Sequence, residues 1–412
     1  MWELIRANKR SSIILMTLMA AVLMALGAVI GFALAGPDGG FFGLIAAVVI
    51  WLFLTLISLS SGDQILLAAS KAQPVTHDVH PQLFNIVEEM KIAAGLPAMP
   101  KIYIINDPAP NAFATGRSPQ SASVAATAGL LGRLNRDELQ GVIAHEMSHI
   151  LHRDILYVTL AGVMLGAVVL LSQVFLRGMY YRSMGGSRRR YSAGGKGGGQ
   201  AQAIMLLIAL LAAILAPIMA QLLYFALSRR REYLADAGAA RLTRYPEGLA
   251  SALEKIASDP SPQLSAANQA TAPMYIVNPF KKPGQLALSS LTSTHPPTAE
   301  RIRILRSMTQ GASFRDYSAA YTKITGSKTI VPPSALAEKD DIKLRPRSIA
   351  DEQAQRRPQI HQVGDIMRKT AGFAFLACPC GLNLKVPPNY KHANVGCPRC
   401  GRILPLPQRP KT

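Results

Sequence analysis

Four long apolar runs constrain the fold of this 412-residue chain more than any other feature of its sequence. None of them contains a charged residue, and each is about as long as a helix that spans a hydrocarbon core. The sequence therefore predicts a mainly α-helical membrane protein with four hydrophobic helical segments. The runs are Ile13 to Ala35, Phe41 to Leu59, Ile155 to Leu176 and Ile204 to Leu227.

The distribution of basic residues predicts how these segments are oriented. Basic residues outnumber the one acidic residue ahead of the first run, which favours a cytoplasmic N-terminus. Two crossings would then return the chain to the cytoplasm, so that segment 60–154 and the tail after residue 228 lie there. The loop 177–200 opposes this assignment because it is itself basic. Either it is translocated against the rule, or the hairpin 155–227 is buried without fully crossing.

The net charge and the positions of the cysteines indicate the cellular environment of the chain. The net charge of +20 is expected to meet an anionic membrane surface, which makes membrane lipids its first partners. All four cysteines lie near the C-terminus and leave none for disulfides elsewhere, in agreement with a reducing compartment.

A metal-binding motif stands just before the third run. His145, Glu146 and His149 form H-E-x-x-H on a predicted helix, where residues four apart share one face, so both imidazoles can hold one metal. Asn135 and Glu138 form a predicted capping box at the helix start. The helix is expected to continue unbroken into the third run, with its metal near the membrane surface. The motif alone also fits two ordinary histidines on a packed helix.

A third ligand is expected from the segment after the fourth run. His152 shares the motif's helix face, but its Cα lies about 10.5 Å along the axis from that of His145, too far for both to reach one ion. Glu232 and Asp236 are four apart on a predicted helix, so Glu232 can bind zinc while Asp236 accepts the free ring N–H of a ligand histidine. Two histidines, one glutamate and an open position form a catalytic zinc set. The arginines at 229–231 are interpreted as a solvated face that meets lipid phosphates.

A helix over Pro81 to Ala94 and strands over 101–105, 111–116 and 123–127 are predicted between the second run and the motif. The substrate edge strand is assigned to Asn111, Ala112 and Phe113, because an extended peptide can add to a sheet edge by main-chain hydrogen bonds. A small sheet that only supports the helix is an equal alternative on these residues.

Taken together, these stretches resemble the HtpX group of membrane zinc metallopeptidases, relatives of the CAAX prenyl proteases. The resemblance covers roughly residues 1 to 308 and is far more specific than H-E-x-x-H alone. The matching stretches are N-A-F-A-T-G at 111–116, E-L-Q-G-V-I-A-H-E-M-S-H at 138–149 with Asp154, S-R-R-R-E-Y-L-A-D at 228–236, and T-H-P-P at 294–297 followed by R-I-R-I-L at 301–305.

The resemblance implies an integral endopeptidase of the bacterial inner membrane, with a gluzincin-like α+β catalytic unit in the cytoplasm. Its implied role is stress-related quality control, with membrane proteins or unfolded polypeptides as substrates. It implies His145, His149 and Glu232 as ligands of a catalytic zinc ion and Glu146 as general base.

The same resemblance implies that His295 and Arg301 face the reaction centre. An imidazole and a guanidinium near zinc can stabilise the oxyanion of a tetrahedral intermediate. In the alternative reading, His295 only starts a helix and Arg301 is a surface charge.

Residues 309–412 lie outside the resemblance. Residues 309–370 have few large apolar groups and are predicted to be a flexible linker. Residues 371–412 are predicted to be a zinc ribbon with a structural zinc ion, because two cysteine knuckles are each closed by a glycine. The partner of the ribbon is expected to be a protein rather than a nucleic acid. The ribbon ligands are Cys378, Cys380, Cys397 and Cys400.

The predicted domain order is a two-span membrane anchor (1–60), a metallopeptidase domain (61–308) interrupted by the membrane hairpin 155–227, the linker and the ribbon. Two other functions stay open on sequence alone. One is a CAAX-type prenyl-protein peptidase, which would require a lipidated cysteine in its substrate. The other is a catalytically idle membrane adaptor that presents the ribbon, against which intact Glu146, Glu232 and His295 argue.

Overall fold

The computed structural model describes residues 2–184, 198–259, 275–277, 296–327, 329–337, 342–346, 359–390 and 392–406. The helices in these ranges are α1 (Trp2–Ala69), α2 (Pro81–Ala94), α3 (Ala128–Arg133), α4 (Arg136–Leu151), α5 (Asp154–Met184), α6 (Gly198–Thr243), α7 (Pro246–Ser258), α8 (Thr298–Arg306), α9 (Phe314–Thr325), α10 (Pro333–Ala337) and α11 (Gln359–Thr370). The strands are β1 (Ala72–Pro74), β2 (Lys101–Ile105), β3 (Ala112–Thr115), β4 (Ser123–Thr127), β5 (Ala374–Ala377), β6 (Asn383–Val386), β7 (Asn394–Gly396) and β8 (Ile403–Pro405).

The long helix α1 consists of two halves that meet at a sharp break. Ala35 and Gly36 leave helical geometry, Gly36 with a φ of 74° that glycine tolerates best, and Pro37 follows at the start of the second half. The halves pack antiparallel at very short range, because a Cβ placed on Gly31 would lie 2.1 Å from the carbonyl oxygen of Gly39. α1 is therefore a helical hairpin.

Among the described residues, three helices are long and apolar enough to cross a membrane: Asn8–Ala69, Asp154–Tyr181 and Ala203–Leu222. The sequence predicted four segments, and the difference arises because α1 contains the first two apolar runs. The α1, α5 and α6 helices pack together around an apolar core of their own.

A four-stranded sheet supports the motif helix. Its strand order is β1-β2-β4-β3, with β2 and β4 parallel and both outer pairs antiparallel. The predicted helix over Pro81–Ala94 and strand over Lys101–Ile105 are confirmed with the same bounds. β3 lies at an edge of this sheet, as expected from the sequence.

The motif helix α4 begins as predicted but does not continue into the membrane. The Asn135 and Glu138 capping box is present. At the other end, His152 is the C-cap, and Arg153 adopts a left-handed conformation with a φ of 59° before α5 starts. The prediction of an unbroken helix is wrong, because this one residue redirects the chain between the zinc motif and the membrane.

The predicted flexible linker contains a helix that belongs to the catalytic core. Ser313 caps α9, and the aromatic side chains of Phe314, Tyr317 and Tyr321 are buried in the main apolar core. These three aromatic residues are spaced as on one face of a helix, and this spacing indicates a buried helix that the low apolar content of residues 309–370 does not reveal. Farther along, Arg345 Nη2 lies 2.7 Å from Asp137 Oδ1 at the start of α4. The prediction of a flexible linker over 309–370 is therefore wrong for these residues.

The C-terminal module consists of two antiparallel hairpins, β5–β6 and β7–β8. It follows α11, which packs on α3 through Val363 so closely that a Cβ on Gly132 would lie 2.3 Å from a Val363 methyl group. α11 is thus docked on the catalytic domain.

Candidate active site

Two neighbouring helices bring the three predicted zinc ligands together. His145 and His149 are one turn apart on α4, and Glu232 lies on α6, which packs against α4. The two Nε2 atoms of the histidines are 3.2 Å apart. One carboxylate oxygen of Glu232 lies 3.6 Å from His145 Nε2, and the other lies 3.5 Å from His149 Nε2. One ligand atom from each residue therefore converges on a common centre within 4.8 Å.

This donor set fits a zinc ion. Ligands about 2.1 Å from a tetrahedral zinc lie about 3.4 Å from one another, close to the three separations in the cluster. The electrostatics agree: burial acts to lower the pKa of His145, but hydrogen bonds to Asp236 and Glu232 outweigh it and raise the pKa to about 9. A site that retains a proton on a buried imidazole has the negative potential that a divalent cation requires.

Asp236 supports His145 from the side away from the ligand centre. Its Oδ1 lies 3.0 Å from His145 Nδ1, where the sequence predicted it. Both of its carboxylate oxygens accept hydrogen bonds from Arg301, from Nε at 2.9 Å and from Nη2 at 2.7 Å. Burial acts to raise the pKa of Asp236, but the Arg301 charge outweighs it and holds the pKa below its ordinary value. Asp236 is thus an ionised acceptor that can fix the tautomer of His145.

Arg301 lies beside the ligand cluster and is bonded to the residues that support it. It is fully buried, and its remaining nitrogen, Nη1, donates to the Ile276 carbonyl at 3.1 Å and lies 3.7 Å from Glu232. Nε, Nη1 and Nη2 of Arg301 each donate one hydrogen bond, so the side chain holds the carboxylate of Asp236 and lies beside that of Glu232. These contacts give Arg301 a positioning role, and its oxyanion role stays a prediction. His295 lies outside the described residues.

A matching relay behind His149 was missed by sequence analysis. His149 Nδ1 lies 3.3 Å from Asp154 Oδ2, and Arg231 Nε lies 3.8 Å from the other Asp154 oxygen. Arg231 is only 4% exposed, and its Nη2 also lies 3.3 Å from Ser12 Oγ and 3.5 Å from the Asn8 carbonyl oxygen in α1. The interpretation of Arg231 as part of a solvated face is wrong. Arg231 directly precedes the ligand Glu232 in the sequence, and this position was the only local indication that its side chain is buried at the site.

Glu146 is buried beside the ligand cluster. Burial raises the pKa of its carboxyl group above the ordinary value, while the neighbouring His145 and His149 act in the opposite direction. The backbone of Ala114 on β3 also acts to lower this pKa, which places Ala114 beside the carboxyl group. An oriented carboxyl group with a raised pKa is suited to take up a proton near neutral pH.

The stretch predicted to bind substrate is already paired with another part of the chain. Asn111 Nδ2 donates to the Val277 carbonyl at 2.8 Å, and the Ile276 N–H donates to the Ala112 carbonyl at 3.0 Å. Phe113 is buried with its ring against that of Tyr275.

This pairing shifts the expected substrate edge along the strand. Because residues of an antiparallel strand alternate in the direction of their backbone groups, Ala114 points the same way as Ala112, away from β4. The substrate role predicted for Asn111, Ala112 and Phe113 is therefore corrected: residues 275–277 occupy that part of the edge. Ala114, beside Glu146, is the next outward-facing position.

The four cysteines form a second cluster with metal-ligand geometry. Sγ atoms of Cys378 and Cys400 are 3.5 Å apart, those of Cys380 and Cys397 are 3.6 Å apart, and all four lie within 4.8 Å. Sulfur atoms about 2.3 Å from a tetrahedral zinc lie about 3.8 Å apart, so the cluster fits zinc as well. The glycine after each knuckle has a positive φ, as a tight turn requires.

Comparison with known proteins assigns the chain to a family. Residues 78–309 match the model of Peptidase family M48, and this range contains the three clustered ligands and Glu146. The chain belongs to peptidase family M48. It is accordingly a membrane zinc metallopeptidase, as the sequence predicted.

Relatives of this M48 peptidase are similar over almost their whole length. It is 46% identical over 308 residues to the "Protease HtpX homolog" of Dictyoglomus thermophilum, covering 74% of this chain and 94% of the relative. The homolog of Streptococcus uberis is 41% identical over 308 residues, covering 75% of this chain and 100% of the relative. Among solved structures, the crystal structure of S. mikatae Ste24p has a TM-score of 0.39 and 20% identity, covering 74% of this chain and 67% of the other. About a quarter of this M48 peptidase thus lies outside the match to the two HtpX homologs.

Proposed function

We propose that this M48 peptidase hydrolyses peptide bonds of membrane proteins and unfolded polypeptides, with zinc held by His145, His149 and Glu232 and with Glu146 as general base. The observation that carries the proposal is the convergence of three ligand atoms within 4.8 Å beside a buried carboxyl group. Two histidines and one carboxylate leave a coordination position for water or substrate, which is the property of a catalytic zinc site.

The side chains around the metal divide the chemistry between them. Bound at this site, zinc polarises the scissile carbonyl and makes water more acidic. Glu146 accepts the proton of the attacking water and passes it to the leaving amine, for which its raised pKa is suited. Asp154 can accept from His149 Nδ1, and Asp236 Oδ1 lies 3.0 Å from His145 Nδ1, which would leave the Nε2 atom of each histidine to hold the metal. His295 is proposed to share the oxyanion charge.

An extended substrate is proposed to join the sheet edge at Ala114. The Ala114 backbone faces away from β4 and lies near Glu146, so a peptide bond that pairs there lies beside the general base. Residues 275–277 supply the preceding edge partner, which sets where the substrate strand begins.

The active site and the C-terminal tail are proposed to face the cytoplasm from the inner membrane. The antiparallel halves of α1 support four crossings, because a hairpin returns the chain to the side from which it entered. The reducing cytoplasm also suits four thiolate ligands, and a structural zinc ion is proposed for the ribbon. A protein is the proposed partner of the ribbon.

Glu146→Gln tests the proposed chemistry. We expect this variant to retain its zinc, because Glu146 is not a ligand, and to lose casein cleavage by at least about 10²-fold, because the amide cannot take up the proton. Zinc content and cleavage are measured on detergent-purified protein. Glu247→Gln, on the exposed surface of α7, is the control and should match the wild type. Cleavage by Glu146→Gln at the wild-type rate would contradict the mechanism.

A further inference from the structure

The C-terminal ribbon presents a large apolar side chain on its surface. Ile403 in β8 is 69% exposed. Its cross-strand partner in β7 is Gly396, which has no side chain, and nothing in the described part of the chain lies within 4 Å of a Cβ placed there. Side chains of cross-strand neighbours normally contact one another on the face of a sheet. The face beside Ile403 is therefore open to a partner.

The sequence of the ribbon is basic throughout. Residues 371–412 include six basic residues and no acidic residue, a count that also covers positions 391 and 407–412, which the structure does not describe. A zinc ion held by four thiolates has two negative charges, which do not balance six positive ones. The module therefore has a net positive charge when its zinc is bound.

Two of these basic side chains lie next to the exposed isoleucine in the sequence. Asp365, on α11 ahead of the ribbon, forms an ion pair with Lys385. Arg399 and Arg402 stand on either side of Cys400, and both are exposed. Arg402 directly precedes Ile403. An accessible apolar side chain beside exposed guanidinium groups suits a partner with apolar and acidic groups close together.

The strand edges of the ribbon indicate what kind of partner this is. Both hairpins are two-stranded sheets, so within the described ranges each of their strands has one unpaired edge. The backbone N–H and C=O groups along such an edge can pair with an extended polypeptide. A lipid headgroup or a nucleic acid has no matching row of backbone groups. The open edges therefore favour a polypeptide over a membrane surface or RNA.

We propose that the ribbon is a docking site for extended segments of the substrate that carry acidic and apolar side chains. The proposal rests on the proposed function, in which unfolded polypeptides are substrates. The ribbon follows α11, which is docked on α3 through Val363. A polypeptide held by the ribbon thus stays attached to the catalytic domain, which raises the local concentration of the rest of that polypeptide at the zinc site.

The test measures the dissociation constant of fluorescein-labelled casein, an acidic unfolded protein, by fluorescence anisotropy. Full-length protein in dodecyl maltoside micelles is used in the Glu146→Gln background, so that bound casein stays intact. We expect Ile403→Ser and the double variant Arg399→Gln/Arg402→Gln each to weaken binding by about fivefold or more, because each removes an exposed contact group. Casein with amidated carboxyl groups should also bind more weakly to the background protein.

Matched controls remove the same groups outside the ribbon. Ile92→Ser replaces an isoleucine on α2 that is 68% exposed. Lys101→Gln/Arg303→Gln removes two positive charges from exposed positions on β2 and α8. Both controls should bind casein as the background protein does.

Kinetics with Glu146 intact provide a second readout. We expect the ribbon variants to raise the KM for casein and to leave kcat unchanged, because the ribbon contributes binding and not chemistry. A short uncharged peptide, which cannot reach both sites, should be cleaved equally well by the wild type and the variants.

Each outcome decides. Equal casein affinity in the ribbon variants and the controls overturns the docking site, as does equal binding of casein and its amidated form. Ribbon variants that keep casein but lose a short single-stranded RNA or phosphatidylglycerol would assign the surface to that partner and also overturn it. If the double variant loses its ribbon zinc, Ile403→Ser decides alone. Weaker casein binding by the ribbon variants, with no cleavage by the wild type, would overturn the proposed function and leave the docking site standing.

Discussion

Each histidine of the motif is held by an aspartate that is in turn held by a buried arginine. His145 contacts Asp236, which is paired with Arg301 from α8. The second relay runs from His149 through Asp154 to Arg231, and from there to the first turns of α1. A buried arginine left without its partner is strongly destabilising, so these pairs fix the orientation of the ligands. The zinc site therefore depends on contacts with a membrane helix.

Arg231→Gln is expected to weaken zinc binding by about 10-fold or more, since residues that support a ligand typically contribute this much to metal affinity. The adjacent Arg230→Gln is the matched control, because Arg230 is exposed and donates to the Ile330 carbonyl. Zinc dissociation constants are measured by chelator competition on detergent-purified protein. Equal affinity in the two variants would show that Arg231 does not position the site.

The two halves of the α1 hairpin pack at backbone distance. Gly31 and Gly39 face each other, and the same arrangement recurs one turn away between Gly27 and Gly43. Small residues at four-residue spacing allow membrane helices to approach at backbone distance. The hairpin thus rests on the absence of side chains at these positions.

We expect Gly31→Ala to lower the thermal unfolding midpoint, because the added Cβ would lie 2.1 Å from a backbone oxygen that cannot move independently. Gly178→Ala in α5 is the matched control, because nothing lies within 4 Å of a Cβ there and alanine favours the helix by about 1 kcal/mol. Midpoints are followed by circular dichroism. A tolerated Gly31→Ala would mean that the two halves of α1 are not packed in this way.

The elements that the sequence predicts correctly are those set by residues close together in the chain. Pro81–Ala94 and the capping box of Asn135 are set by residues a few positions apart, so the sequence alone locates them. The left-handed Arg153 has no such local signature, and the prediction there failed. The pairing of Ile276 with Ala112 joins residues far apart in the chain, and only the folded structure reveals it.

The residues of the candidate site likewise fall into those that local spacing predicts and those that it does not. His145, His149, Glu232 and Asp236 were predicted because helical spacing places them on shared faces, and the structure brings all four together. The buried role of Arg231 depends on contacts with α1 and α5, which no spacing within its own helix reveals.

At the scale of the whole molecule, part of the chain beyond the family match is built into the catalytic domain. The family model ends at residue 309, yet α9 packs in the main core, where the Tyr321 ring contacts Tyr233 on α6 with 5.0 Å between ring centres. Tyr233 stands next to Glu232 in sequence. The added segment therefore contributes to the stability of the helix that carries the third ligand.

Tyr321→Ala is expected to lower the free energy of unfolding by about 3 kcal/mol, because it removes a buried aromatic side chain from the core. Leu344→Ala, in the same predicted linker but exposed, serves as the control and should change it little. Denaturant titration in micelles measures both. Equal stability of the two variants would show that residues 309–370 are a linker, as their composition predicts.

The most direct test of the account is zinc K-edge X-ray absorption on the full-length Cys378→Ser/Cys380→Ser variant. Removing two ribbon ligands leaves the His145, His149 and Glu232 site as the one proposed zinc position. We expect one zinc per chain, with nitrogen and oxygen neighbours at about 2.0–2.1 Å and no sulfur neighbour at about 2.3 Å. A sulfur shell, or the loss of all zinc, would contradict the assignment of the catalytic metal to these three residues.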